Sequence, residues 1–145
     1  MPNYRTHSFA NLFLILPPIS LALYHFLTPS EENILTFIGC FTYATLFMSP
    51  DVDLAHKNKL FSLKGLLTLP FRPYALFFSH RGISHLPVIG TLTRLLYLFF
   101  LFFLIYILLY KEIPALYITS NALFIWGFGG ACLADIAHEC LDFFD

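Results

Sequence analysis

Long apolar stretches separated by short polar ones dominate this sequence of 145 residues. Residues 8–28, 86–110 and 113–134 are each long enough to cross a bilayer, because an α-helix rises about 1.5 Å per residue and the hydrocarbon core is about 30 Å thick. Residues 34–48 form a shorter stretch of about 22 Å, which must end below the lipid surface or thin the bilayer. The pattern predicts an all-α membrane protein, a single integral domain over residues 1–145 built as an antiparallel bundle of four transmembrane helices.

The first stretch and the long connection after the second stretch refine this prediction. A signal peptide is the alternative for residues 8–28, but the apolar run is too long and no small-residue cleavage site follows it. A kink is expected there at Pro17 and Pro18. In the connection, residues 60–78 are apolar enough to form an interfacial or re-entrant segment, broken at Pro70 and Pro73. Composition agrees with a membrane protein, since 58% of the residues are hydrophobic and 12% are charged.

Basic residues indicate how the bundle is oriented. Arg5 and the five Lys and Arg residues of the connection fall on one face, whereas the other face has Lys111 alone. The positive-inside rule therefore places the first face on the cytoplasmic side of the inner membrane. The sequence has no basic field of the kind that binds nucleic acid.

Two histidines five residues apart, His80 and His85, bracket a polar turn before the third stretch. On a continuous helix they would point about 140° apart, so a turn at Gly82 is needed to bring them together, with Ser84 as the N-cap of the next helix. Arg81 and the backbone N–H groups of that helix would favour an anion. The motif fits either a metal site with an anionic ligand or a pair of interfacial histidines that cap a loop.

Topology favours the metal site. In four antiparallel spans, the start of the first, the end of the second, the start of the third and the end of the fourth share one face. The candidate ligands occupy those four places: His7, Asp51, Asp53, His80, His85, Asp135, His138 and Asp142. The turns on the opposite face hold Glu31, Glu32, Lys111 and Glu112, without a histidine. Such sorting of polar residues predicts a metal site at the cytoplasmic end.

The fourth stretch supports this prediction separately. Small residues recur on one stripe that His138 continues: Gly127, Ala131 and Ala134. Because small residues allow close helix packing, this stripe is expected to face the bundle interior. Asp135, His138 and Asp142 fall within about 60° of one another on the same helix. Asp142 is the stronger ligand candidate, since Asp135 could instead make a polar contact near the helix end.

Arg94 lies about 13 Å along the third helix from His85, where a lone arginine is costly in lipid. Its expected partner is Asp135 or a substrate anion, and the alternative is a structural ion pair. Two other histidines, His25 and His56, are expected to take no part in the site. Three isolated cysteines, without a CxxC pair, indicate no disulfide and no cysteine metal cluster.

The chain resembles a bacterial family of small membrane proteins described as metal-binding, and is similar to the inner-membrane metal-dependent hydrolases. The motifs that carry the resemblance are Arg5-Thr6-His7, Ser49-Pro50-Asp51-Val52-Asp53, His80-Arg81-Gly82-Ile83-Ser84-His85 and His138-Glu139-Cys140-Leu141-Asp142. The resemblance spans nearly the whole chain and implies a helical membrane fold, a bound divalent metal and hydrolysis. It carries over every candidate ligand except Asp135, which, like Arg94, rests on the residue pattern.

Two functions fit these features. The first is a membrane-embedded hydrolase of an amphiphilic phosphoester, in which one or two zinc, manganese or iron ions activate water while Arg81 and Arg94 neutralise the substrate. The second is a non-enzymatic metal-binding or sensing protein with a structural metal site. A transporter is less favoured, because transport calls for polar residues near the midplane and access from both faces.

Overall fold

The described part of the protein is built from helices. The computed structural model describes residues 4–49, 61, 65–66, 68–77, 86–114 and 121–143. Its elements are α1 (Tyr4–Phe9), a π-helical segment (Ala10–Ile15), α2 (Leu16–Leu27), α3 (Glu31–Phe47), a 3₁₀ helix (Leu69–Phe71), α4 (Tyr74–Phe77), α5 (Pro87–Tyr110) and α6 (Asn121–Phe143). These ranges hold no strand, which confirms the all-α prediction.

Contacts divide the chain into two compact units. The first unit comprises Met1–Pro50 with Ser120–Asp145, and the second comprises Asp51–Thr119. By length and composition, two helical stretches of the described chain are able to cross a membrane, Thr6–Leu27 and Pro87–Tyr110. One of them belongs to each unit. The bundle of four transmembrane spans stays a prediction.

The N-terminal helix (α1, the π segment and α2) changes its hydrogen-bond register just before Pro17 and Pro18. A proline within a helix lacks an N–H donor, and its ring collides with the carbonyl four residues earlier. The wider π turns precede this pair, and the N–H of Leu16 donates to the carbonyl of Asn11, five residues back. The strain of the two prolines is thus accommodated by a π segment, a common cause of helix bending. The helix ends at Leu27, with Thr28 in a left-handed conformation at φ 41°.

The second helix, α3, begins earlier than its apolar stretch. The side chain of Ser30 accepts a hydrogen bond from the N–H of Asn33 at 3.4 Å, and Glu31 and Glu32 occupy the first turn. Both features stabilise the positive end of a helix, so the helix extends into polar residues that hydropathy assigns to the turn. The predicted start at residue 34 is therefore late by one turn.

The predicted limits of the fourth helix were wrong at its beginning. Ile113 and Pro114 are not helical, so a start at 113 is too early, whereas α6 (Asn121–Phe143) continues past 134 through Asp135, His138 and Asp142 as predicted. A proline disfavours helical backbone in the residue before it, whereas hydropathy registers only that the region is apolar. The third helix matches its prediction closely, but its N-cap is Leu86 and Pro87 is its first residue, so Ser84 does not cap it.

In the first unit, α3 and α6 pack against each other at two glycines. A Cβ atom on Gly130 would lie 2.5 Å from the carbonyl oxygen of Phe37, and one on Gly127 would lie 3.1 Å from Sγ of Cys40. The backbones can approach this closely only because these glycines lack side chains. The predicted inward stripe of α6 is confirmed, since Gly127, Ala131 and Ala134 are all buried, and the structure adds the buried Gly130.

The helices of the first unit run in defined directions. Only residues 28–30 join the N-terminal helix to α3, which makes these two helices antiparallel neighbours. The N-terminal helix is also antiparallel to α6, because His7 lies beside His138 while Asn11, further along, bonds to Ala134. Therefore α3 and α6 run in the same direction. The end of α3 at Phe47 lies at the same end of the unit as His138.

In the second unit, the described part of the predicted interfacial segment packs against α5. Phe71 and Tyr74 are fully buried, and their rings contact the ring of Tyr97. The hydroxyl of Tyr97 donates to the carbonyl of Pro70 at 2.6 Å, and the hydroxyls of Tyr74 and Thr93 are 3.0 Å apart. Aromatic contacts and two hydrogen bonds thus fix this proline-rich segment to the helix.

Candidate metal centre

Three potential metal ligands meet where the first and last helices approach each other. His138 and Asp142 are four residues apart on α6, so helix geometry alone places them on one face. His7 comes from the last half of α1 and reaches them across the helix contact. The unit therefore joins residues from opposite ends of the sequence in one cluster.

The three side chains are arranged around a common point. Nε2 of His7 is 3.4 Å from Oδ1 of Asp142, and Nε2 of His138 is 3.6 Å from its Oδ2. The two imidazole rings have centroids 4.7 Å apart and are tilted by 39°. One ligand atom from each residue lies within 4.8 Å of the other two. We call this trio the His-His-Asp cluster.

Burial differs sharply within the cluster. The side chains of both histidines are 4% exposed, whereas that of Asp142 is 36% exposed. The imidazoles are thus shielded by the packed helices, and the carboxylate lies on the open side. An ion bound here would be coordinated by the two imidazoles on its buried side and by the Asp142 carboxylate on its solvent-facing side.

A second polar contact lies one turn away from the cluster. Nδ2 of Asn11, four residues after His7, donates to the carbonyl oxygen of Ala134 at 3.2 Å, and Asn11 is 1% exposed. Ala134 is in turn four residues before His138. This hydrogen bond therefore ties the N-terminal helix to the turn of α6 that carries the histidine.

Comparison with known proteins identifies the family of this chain. A family model described as uncharacterized metal-binding protein (DUF2227) matches residues 2–144. The chain belongs to that family. An uncharacterized protein of Aquifex aeolicus (strain VF5) is 41% identical over 72 residues, which cover 50% of this chain and 50% of the relative. The aligned region thus spans about half the length of that relative. No solved structure matches the chain.

The family match confirms the resemblance to metal-binding proteins that the motifs predict. The further likeness to inner-membrane hydrolases stays a prediction. The family description names neither a metal nor a reaction. The donor set of the cluster therefore determines which ions fit.

The donor set fits a divalent transition metal. Two ligand atoms that are each about 2.1 Å from a zinc ion in tetrahedral geometry lie about 3.4 Å apart. The distances of 3.4 Å from His7 Nε2 to Oδ1 and 3.6 Å from His138 Nε2 to Oδ2 are close to this separation and exceed the usual hydrogen-bond range of about 2.7–3.2 Å. Two imidazoles with one carboxylate are ligands that zinc, manganese and iron accept. Within the described residues the cluster supplies three protein ligands, the number typical of a catalytic site that keeps a position for water.

Of the eight ligands predicted from sequence, the structure brings three together and places a fourth nearby in sequence. Asp135 is buried at 1% exposure, one turn before His138, and does not belong to the His-His-Asp cluster. The other predicted ligands, with Arg81, lie outside the described residues: Asp51, Asp53, His80 and His85. Met48 and Ser49, at the end of α3, are buried.

The remaining predicted residues take different places. Arg94 is fully buried in α5 of the second unit, and its pairing with Asp135 stays a prediction. His25 is exposed in the last turn of α2, about 27 Å along the helix from His7, which agrees with its exclusion from the site. His56 lies outside the described residues.

Sequence reasoning missed Asn11. Its signal was an amide in an otherwise apolar run, four residues after His7 and so on the same helical face. A polar side chain in such a stretch has a partner or a function to offset the cost of its burial.

Proposed function

We propose that this protein is a membrane-embedded, divalent-metal-binding hydrolase that cleaves an amphiphilic phosphoester at the cytoplasmic face. The observation that carries the proposal is the His-His-Asp cluster, in which two shielded imidazoles converge with a carboxylate on the open side. Membership of a metal-binding family supports the bound ion.

An open coordination position is the feature that favours catalysis. The three ligands found among the described residues would leave one position on a tetrahedral ion, and the 36% exposure of Asp142 gives water a route to it. A divalent ion in such a site lowers the pKa of bound water and polarises a phosphoryl oxygen. Zinc, manganese or iron is the proposed metal. Asp51, Asp53, His80 and His85 are proposed as further ligands, with Asp135 as an additional candidate, and a set of this size could hold two ions.

Membrane embedding rests on the apolar surfaces of the helices. Thr6–Leu27 and Pro87–Tyr110 are long and apolar enough to cross a bilayer, and their large side chains, such as Phe26 and Leu109, are widely exposed. Exposing such apolar surfaces to water costs free energy, whereas exposing them to lipid does not. A metal centre near the start of the N-terminal helix would meet a substrate with an apolar tail and a polar head.

Arginines are proposed to bind the anionic head of the substrate. Arg81 follows the predicted ligand His80 directly, and Arg94 is buried in α5. A guanidinium group neutralises a phosphoryl group through paired hydrogen bonds without itself needing a metal.

Metal analysis and a hydrolysis screen of purified protein together test this function. We expect a stoichiometric divalent transition metal, and hydrolysis of at least one lipid phosphoester that stops with chelator and returns with zinc, manganese or iron. Soluble phosphoesters of the same head group serve as the matched control for the amphiphilic requirement. A stable, metal-loaded protein that cleaves no member of the panel would contradict the hydrolase, and a protein that binds no metal would contradict the centre itself.

A structural metal clip is the second candidate, and one observation favours it. The cluster joins the N-terminal helix to α6, so an ion there would hold the two ends of the first unit together. A clip predicts that chelation unfolds the protein, because the binding free energy of the ion is then part of the folding free energy. A catalytic centre predicts that chelation removes activity while the helices remain folded. Circular dichroism before and after chelation separates the two.

A further inference from the structure

The side-chain amide of Asn11 has a hydrogen-bonded nitrogen and a buried oxygen to which no described residue donates. Its Nδ2 donates to the carbonyl of Ala134 at 3.2 Å. Its Oδ1 is buried, and no described residue donates a hydrogen bond to it. Exchanging the two amide atoms would not help, since it would set the amide oxygen against the Ala134 carbonyl oxygen.

A buried acceptor of this kind calls for a physical explanation. Removing an amide oxygen from water without a new hydrogen bond costs about 1–3 kcal/mol. Such groups persist in native proteins where a water molecule, an ion or a functional state supplies the missing partner. An asparagine that served only to tie two helices together would gain nothing from this buried oxygen.

The place of Asn11 links the acceptor to the cluster. It is four residues after His7, and side chains with that spacing have Cβ atoms about 5–6 Å apart on one helix face. Its hydrogen-bond partner, Ala134, has the same spacing from His138. Asn11 is also the second residue of the π segment, and π turns occur frequently at functional sites.

We propose that the amide oxygen of Asn11 is a positioning group of the metal centre, which accepts a hydrogen bond from water held by the His-His-Asp cluster and its ion. The missing donor is then present whenever the centre is loaded. This inference rests on the proposed metal centre, and it adds a protein group on the buried side, opposite the open side at Asp142.

Substitutions at Asn11 separate the role of its oxygen from that of its nitrogen. Asn11→Leu keeps the approximate shape and removes both atoms, whereas Asn11→Asp keeps an acceptor oxygen and removes the donor to Ala134. We expect Asn11→Leu to weaken zinc binding about 10–100-fold, the usual loss for a group that supports a metal ligand shell. We expect Asn11→Asp to retain the affinity of the wild type within a few-fold.

Stability of the metal-free protein gives a second readout. Leucine removes an unsatisfied buried acceptor, so the metal-free Asn11→Leu variant should melt no lower than the metal-free wild type. Cobalt provides a spectroscopic check, because its visible bands report the ligands around the ion, and we expect those bands to change in Asn11→Leu alone. Ser20→Ala is the matched control, since Oγ of Ser20 is another buried oxygen without a described partner, but it lies far along the N-terminal helix from His7. It should leave zinc affinity and cobalt bands unchanged.

The outcomes distinguish this inference from the function on which it rests. If the wild type binds neither zinc nor cobalt, the metal centre and this inference are both overturned. If the wild type binds zinc and Asn11→Leu binds it equally well with the same cobalt bands, only the role of Asn11 is overturned. If Asn11→Asp loses as much affinity as Asn11→Leu, or if metal-free Asn11→Leu is unfolded, the amide serves only as a tie between helices and the inference is wrong.

Discussion

The two histidines and Asp142 reach the cluster by different physical routes. His138 and Asp142 need only one helical turn, so their proximity survives any change elsewhere in the fold. His7 depends on the packing of the N-terminal helix against α6. Asp142 is the most exposed of the three and lies between both Nε2 atoms, so its substitution perturbs the core least.

Asp142→Asn should therefore remove metal without removing the fold. The amide keeps the shape of the carboxylate but loses its charge, and we expect metal affinity to fall by more than the roughly 10–100-fold lost with an outer-shell group. Added zinc at about 100 times its dissociation constant should stabilise the wild type by about 2.7 kcal/mol and the variant hardly at all. Thermal unfolding in detergent, with and without zinc, measures this difference.

His25→Ala is the matched control for this prediction. His25 is exposed at the other end of the N-terminal helix, so zinc should stabilise this variant as it does the wild type. Equal zinc stabilisation of Asp142→Asn and His25→Ala would show that the His-His-Asp cluster is not the binding site.

At the scale of helices, the glycines of α6 determine how closely the first unit packs. Gly127 and Gly130 contact the backbone or side chains of α3, whereas a Cβ atom on Gly129 would meet nothing within 4 Å. Gly130 is thus required for the contact between α3 and α6, whereas the neighbouring Gly129 is not. The contact sets the position of α3 and α6 only two turns before His138.

Gly130→Ala should destabilise the protein, and Gly129→Ala should not. The new Cβ atom at position 130 would lie 2.5 Å from the Phe37 carbonyl oxygen, and backbone on both sides cannot give way without separating the helices. Overpacking of this kind costs about 1–3 kcal/mol. At position 129 alanine only improves helix propensity, by up to about 1 kcal/mol. Fluorescence of the single tryptophan, Trp126, which contacts Phe37, reports unfolding of this interface. A Gly130→Ala variant as stable as the wild type would contradict the close contact.

Local rules account for what the sequence could predict about these helices. The stripe of Gly127, Ala131 and Ala134 and the spacing of His138 and Asp142 follow from the helical period, and the structure agrees with both. The start of α6 could not be predicted, because apolar composition does not distinguish helix from the non-helical Ile113 and Pro114. The pairing of Asn11 with Ala134 joins residues 123 positions apart, which no local pattern specifies.

At the scale of the whole molecule, predicted topology anticipated the meeting of the two sequence ends. Antiparallel spans place the start of the first helix beside the end of the last, and His7 does contact His138. The same reasoning placed the end of α3 at that end of the first unit, where the directions of the helices put it. It could not specify that His7 and His138 meet Asp142 without Asp135, because hydropathy does not reveal a difference of one turn in register.

Membrane sidedness provides the last prediction. Nε2 of His7 and Oδ1 of Asp142 lie 3.4 Å apart, so residues 7 and 142 must be on the same side of any membrane that the chain crosses. From the excess of basic residues we predict that this side is the cytoplasm. Glu32 is exposed at the start of α3, at the opposite end of the first unit. We expect a membrane-impermeant maleimide to label the exposed Cys140 only in inside-out vesicles. In a Cys140→Ser background, Glu32→Cys should be labelled only from the other face. Labelling of both positions from one face would show that the first unit does not span the bilayer, and exchange of the two faces would place the metal centre outside the cytoplasm.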